Sequence, residues 1–142
     1  MSKYKQLTDA YALNTKALIA YRADARDALR GIKDALRKHL GLIVVETDIV
    51  RIVSETDESV FPLLAKLNHG DSVSFDVAVS VGGDAGLPKT DVFVSASLSG
   101  KSGELVLTVP GINVVRKLKG EEDYQEVAKL MFDAMLKTLE DF

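Results

Sequence analysis

The chain has 142 residues, of which 46% are hydrophobic, and a formal net charge of −3. A chain of this length can bury about 70% of its unfolded surface, so we expect one domain over residues 1–142. The absence of cysteine excludes disulfides, thiolate metal sites and cysteine nucleophiles. No window approaches about 18 apolar residues, and the charged N-terminus lacks the apolar segment of a secretory signal. We therefore expect a cytoplasmic protein without a membrane span.

The first predicted element is a long helix over residues 2–40, which contain no proline and only one glycine, Gly31. At about 1.5 Å per residue it would run to roughly 58 Å, about twice the width of a domain of this size. Its first half has the three- and four-residue spacing of a coiled-coil seam. The seam residues are Tyr4, Leu7, Tyr11, Asn14, Leu18 and Tyr21. We predict that residues 1–24 protrude as an oligomerisation or interaction arm, in which a buried Asn14 would fix the register, and that residues 25–40 dock on the core.

Positive charge is concentrated on this helix. Residues 1–41 carry a surplus of five positive charges, whereas the remaining residues carry a surplus of eight negative charges. A basic stripe recurs every three or four residues at Arg22, Arg26, Arg30, Lys33 and Arg37. Interleaved aspartates favour ordinary surface ion pairing for this stripe. An acidic protein partner is the second interpretation and nucleic acid, whose phosphates such a stripe could follow, is the third.

The following segments predict an antiparallel sheet of about four strands. Residues 42–53 are rich in β-branched side chains and form either one strand, which we prefer, or a hairpin. Residues 60–67 suit a short helix, with Ser59 as its N-cap. Apolar and polar side chains alternate over residues 72–81, 91–99 and 105–109, and residues 112–115 could add an edge strand. Glu121 opens a final helix with more apolar residues than one narrow stripe needs. The expected fold is α+β, with both long helices on one sheet face.

No motif indicates a cofactor, a metal or a catalytic residue. Gly100, Lys101 and Ser102 look like the end of a P-loop, but the required earlier glycine and following helix are missing. The glycine-rich loop over residues 82–86 leads to a strand, and the two histidines, His39 and His69, lack the partners of a metal site. An acidic cluster reads as a solvated edge and contains Glu46, Asp48, Glu55, Asp57 and Glu58.

These features favour a non-enzymatic interaction or assembly module, of the adaptor, chaperone, immunity or phage-accessory type, that forms a homodimer through its helices. The alternative is a small-molecule binder or enzyme with a pocket between the sheet and the helices. Its candidate polar groups are Arg51, His69, Asp71 and Asp76. Nucleic-acid binding through the basic stripe is a second alternative.

Overall fold

The computed structural model describes residues 2–42, 49–54, 59–64, 66–68, 71–83, 86–101, 104–112 and 114–141. Three helices and five strands lie in these ranges, with one 3-10 turn at Pro110–Ile112. The helices are α1 (Lys3–His39), α2 (Phe61–Leu64) and α3 (Glu121–Glu140). The strands are β1 (Val50–Val53), β2 (Ser72–Val81), β3 (Thr90–Lys101), β4 (Glu104–Val109) and β5 (Val114–Leu118).

The five strands form one antiparallel meander in which each strand pairs with the next along the chain. The pairing of Val77 with Val94 and of Leu98 with Leu107 aligns the apolar side chains of neighbouring strands on one face. Helix α1 packs against α3 and β1, and α3 contacts β3 and β5, so both long helices cover that face. The predicted α+β fold is confirmed, with one strand more than expected.

The core lies between this sheet face and the helices. Five α1 residues are buried, namely Ala25, Ala28, Leu29, Ile32 and Leu36, and four residues of α3 meet them, namely Val127, Ala128, Met131 and Met135. The buried side chains of the described sheet, such as Phe75 and Leu98, complete the cluster. Burial of this apolar surface, at about 25 cal/mol per Å², is what holds the helices on the sheet.

The two long helices approach closely at Gly31. A Cβ atom added there would lie 2.8 Å from Cε2 of Tyr124, so the tyrosine ring occupies the space that a side chain would need. Burial raises the pKa of Tyr124, and nearby carboxylates, first Asp27, raise it further. Further along, the rings of His39 and Phe132 meet edge to face at 5.1 Å. His39 therefore contacts α3 from the last turn of α1.

Some element bounds differ from the sequence prediction. Of the predicted strand over residues 42–53, residues 43–48 lie outside the described ranges, and β1 covers only the last four residues, Val50–Val53. The short helix is a single turn, α2. Strand β3 continues to Lys101, into the predicted turn, because Lys101 pairs with Glu104. Strand β5 continues to Leu118, three residues past the expected edge segment.

Candidate functional site

The first five turns of α1 carry large apolar side chains in contact with solvent. Tyr4 is 79% exposed, Leu7 71% and Tyr11 70%, and Leu13 and Ile19 are also exposed. No α1 residue before Ala25 is buried. We call residues 3–20 the arm; at about 1.5 Å per residue it is roughly 27 Å long. Ser2 caps its start, because its hydroxyl accepts a hydrogen bond from the Lys5 amide at 3.1 Å.

The arm continues the side of α1 that forms the core. Eighteen residues make about five full turns, so residues 18 apart point in the same direction. Leu7, Tyr11, Asn14 and Leu18 stand 18 residues before Ala25, Leu29, Ile32 and Leu36, all of which are 0% exposed. The predicted seam is thus the outward extension of the buried stripe. Leu18 is already half-buried, whereas Tyr4, Leu7, Tyr11 and Asn14 are exposed.

Tyr21 lies where α1 meets the sheet. Its hydroxyl donates to the carbonyl oxygen of Asp71 at 2.7 Å and accepts from the Gly100 amide at 3.2 Å. A Cβ atom at Gly100 would overlap the Tyr21 ring. Burial raises the pKa of this hydroxyl, with a smaller contribution from Asp71, against the hydrogen bond from Gly100. Tyr21 therefore contacts the sheet region of its own chain.

The basic stripe faces α2 and makes contacts within the chain. Arg22 Nε donates to the carbonyl oxygen of Leu67 at 2.8 Å, and the Arg30 guanidinium lies 5.8 Å from the centre of the Phe61 ring. Two more members of the stripe pair with neighbouring aspartates: Arg26 with Asp27 at 3.4 Å, and Arg37 with Asp34 at 3.9 Å. Lys33 is half-buried. The Arg26–Asp27 pair is exposed on both sides, and exposed ion pairs of this kind contribute about 0–1 kcal/mol.

The sheet face away from the helices carries polar side chains that pair with one another. Arg51 Nη2 lies 2.5 Å from Asp91 Oδ2, and the Ser80 hydroxyl donates to Asp91 Oδ1 at 2.7 Å. The Ser80 hydrogen bond and the Arg51 guanidinium lower the pKa of Asp91. The Ser95 hydroxyl donates to Asp76 Oδ1 at 2.6 Å. These carboxylates are occupied by neighbours on the same face, so their arrangement is that of a hydrogen-bonded, solvated surface.

The candidate polar groups of the small-molecule interpretation do not meet at one place. Arg51 and Asp76 lie on the open sheet face, whereas Asp71 precedes β2, where its carboxylate accepts from the Asn68 amide at 2.9 Å. His69 and the acidic cluster over residues 46–58 lie outside the described ranges. Within those ranges Ser54 is the one buried polar residue, and no group of three or more metal-binding side chains occurs.

Shallow hollows border α1 on its outer sides. One of about 350 Å³ lies between the arm end and α2 and is lined by Ile19, Arg22 and Phe61 among others. Another, of about 260 Å³, is lined by Asp24, Asp27, Lys117 and Tyr124 among others. In the second hollow, burial raises the pKa of Tyr124, and the hydrogen bond from Lys117 lowers the pKa of Glu104. Tyr124 packs against Gly31 and Glu104 pairs with Lys117, so both groups have structural contacts within the chain. None of the described helices is long and apolar enough to cross a bilayer.

With this geometry established, the chain was compared with protein-family models, curated proteins and solved structures. None of them matches it. On the chain's own surface, the exposed apolar side chains of the arm are the main feature that no contact within the described residues explains. Exposed apolar groups at helical spacing are typical of surfaces that another protein covers.

The sequence predicts the seam but not the contact between Tyr21 and Gly100. Gly100 was assessed only as part of a phosphate-binding motif, which it does not form. Its position opposite Tyr21 depends on residues 79 apart in the chain, and the hydroxyl also reaches Asp71, 50 residues away. A glycine near the end of an otherwise apolar and polar alternating strand was the available signal, since such a glycine often allows the close approach of another group.

Proposed function

We propose that the protein is a non-enzymatic interaction and assembly module that oligomerises through the arm of α1. The observation that carries this proposal is the direction of the arm's apolar residues. Tyr4, Leu7 and Tyr11 are exposed on the same side of the helix that becomes fully buried from Ala25 onward. These apolar side chains are exposed to water, and the free energy falls when a partner covers them.

The exposed apolar side chains of two arms supply most of the area that a small specific interface needs. A tyrosine buries about 150–250 Å², and the Tyr4 and Tyr11 rings are about three-quarters exposed. The four tyrosines of two arms therefore supply roughly 450–750 Å². With Leu7, Leu18 and the small residues beside them, a pair of arms approaches about 1,000 Å², which is the lower limit for a specific interface.

Sedimentation equilibrium with a pair of matched variants tests this proposal. Leu7 and Leu13 are both 71% exposed. Leu7 belongs to the seam, whereas Leu13 lies on the outer side of the arm, away from the seam. We expect the unaltered protein to be a dimer at roughly 50 µM. Leu7→Asp should shift it toward monomer because a carboxylate in the interface loses its hydration, whereas Leu13→Asp should remain a dimer. A monomeric unaltered protein, or equal effects of the two variants, would contradict the proposal.

Asn14 offers a second test. It stands at a seam position that corresponds to the buried Ile32, and a polar residue at such a position fixes register at a cost in stability. Replacing it with leucine, Asn14→Leu, should tighten association or change the oligomer number. Unchanged association would place Asn14 outside the interface.

A further inference from the structure

The direction in which two arms can pair is restricted by the rest of α1. From Tyr21 onward, the seam side of the helix is covered by its own sheet. A partner helix that ran parallel along the seam would meet this sheet within one turn after residue 20, and the sheet would block its path. A partner helix running antiparallel instead ends at this point, because its first residue, Lys3, then lies beside the start of the covered part, and its own sheet lies at the opposite end of the paired arms.

We infer that two copies of this chain pair through antiparallel arms, each arm ending where the other copy's helix meets its sheet. This inference rests on the proposed function and specifies its partner and geometry. The heptad spacing then allows a register in which the residue numbers of facing seam positions add up to 25. Its facing pairs are Tyr4 with Tyr21, Leu7 with Leu18, and Tyr11 with Asn14, each formed twice.

The charges and small residues beside the seam fit this register. In an antiparallel pair, the flank that contains Lys3, Ala10, Ala17 and Asp24 faces the same flank of the other copy. Lys3 of one chain then meets Asp24 of the other, and Ala10 meets Ala17. Asp24 and both alanines are exposed in the structure and therefore accessible to a partner. The register creates two opposite-charge contacts and brings no like charges together along this flank.

The pairing of Ala10 with Ala17 also affects the distance between the two helix axes. Small residues on the facing flanks let two helix backbones approach closely, whereas the larger Leu7 and Leu18 fill the seam between them. The opposite charges of Lys3 and Asp24, together with the small residues on this flank, therefore favour the antiparallel over the parallel arrangement.

Cysteine cross-linking tests the inference directly, because the natural chain has no cysteine. Leu7→Cys and Leu18→Cys proteins are oxidised separately and as an equimolar mixture. Antiparallel pairing predicts a disulfide-linked dimer in the mixture and none in either variant alone. The matched control is Asp9→Cys with Lys16→Cys, whose numbers also add up to 25 but which lie on the outer side of the arm; this mixture should not cross-link.

A second pair, Ala10→Cys with Ala17→Cys, guards against loss of packing in the seam, since both alanines are exposed. It should cross-link only as a mixture. Sedimentation of the cysteine-free protein distinguishes failure of the antiparallel geometry from failure of the proposed function. A dimer whose Leu7→Cys and Leu18→Cys variants each cross-link alone is parallel, and a dimer without either mixed product pairs in another way; both results overturn this inference alone. A monomer overturns the proposed function as well.

Discussion

Tyr21 is the residue at which α1 changes from an exposed arm to a core helix. Its hydroxyl is held by a donor and an acceptor from two separate parts of the sheet region, Gly100 and Asp71. The ring lies where a side chain at Gly100 would otherwise be. The absence of a Cβ atom at position 100 therefore decides how closely the helix can approach β3.

The substitution Gly100→Ala tests this contact. The added methyl group overlaps the Tyr21 ring, so either the ring or the strand has to move, and overpacking of this kind costs about 1–3 kcal/mol. Urea unfolding should show a free energy of unfolding lower by that amount. Gly111→Ala is the matched control, because nothing lies within 4 Å of a Cβ atom there. Equal stability of the two variants would show that the Tyr21 ring does not need the space at Gly100.

At the scale of elements, the bounds of a helix or strand were predicted most accurately where a single hydrophobic periodicity dominates the segment. The bounds of α1 and β2 follow from uninterrupted helical spacing and from strict alternation, and the structure agrees with both. Strand β5 was cut short because Arg116 and Lys117 follow its apolar start, although Lys117 pairs with Glu104 at 3.0 Å across the sheet. Local pattern could not show that pairing, because the partner strand supplies the reason for the charge.

In the candidate site, too, some features follow from a local sequence pattern and others depend on contacts between distant parts of the chain. The seam positions are a local pattern on one helix, so sequence alone could place them. That the seam is aligned with the buried stripe also follows from spacing, but it has meaning only once Ala25, Leu29 and Leu36 are seen to be buried. The contacts of Tyr21 and Arg22 join residues 45 to 79 positions apart, and no local pattern in one sequence specifies such pairs.

The packing of α1 on α3 can be tested at Gly31. An alanine inside a helix is favoured over glycine by about 0.8–1.0 kcal/mol, but here its Cβ atom would lie 2.8 Å from the Tyr124 ring. We expect Gly31→Ala to destabilise the natural protein and to stabilise the Tyr124→Ala variant. Urea unfolding of the four proteins in this double-mutant cycle gives the coupling. Stabilisation by Gly31→Ala in both backgrounds would show that the two helices do not need the glycine.

In the whole molecule, one apolar stripe along α1 has two environments: its second half is buried in the core, and its first half, on the arm, is exposed. From Ala25 the stripe is buried against the chain's own sheet and α3, whereas the seam residues Tyr4, Leu7 and Tyr11 are exposed. In the proposed antiparallel dimer, each arm lies against the other and ends where the other copy's helix meets its sheet. Dissociation and unfolding become linked equilibria, since association stabilises the folded state.

The melting temperature should therefore depend on protein concentration. Once concentration exceeds the dissociation constant, a hundredfold increase adds about 2.7 kcal/mol per dimer, or about 1.4 kcal/mol per chain. With an unfolding entropy of about 2.1 cal/mol/K per residue, this corresponds to a rise of roughly 5 °C. Calorimetry across that range should show the rise for the natural protein and for Leu13→Asp. Leu7→Asp should melt at a constant, lower temperature, because the arm of a monomer contributes little to the core; a concentration-independent melt of the natural protein would mean that its arms do not pair.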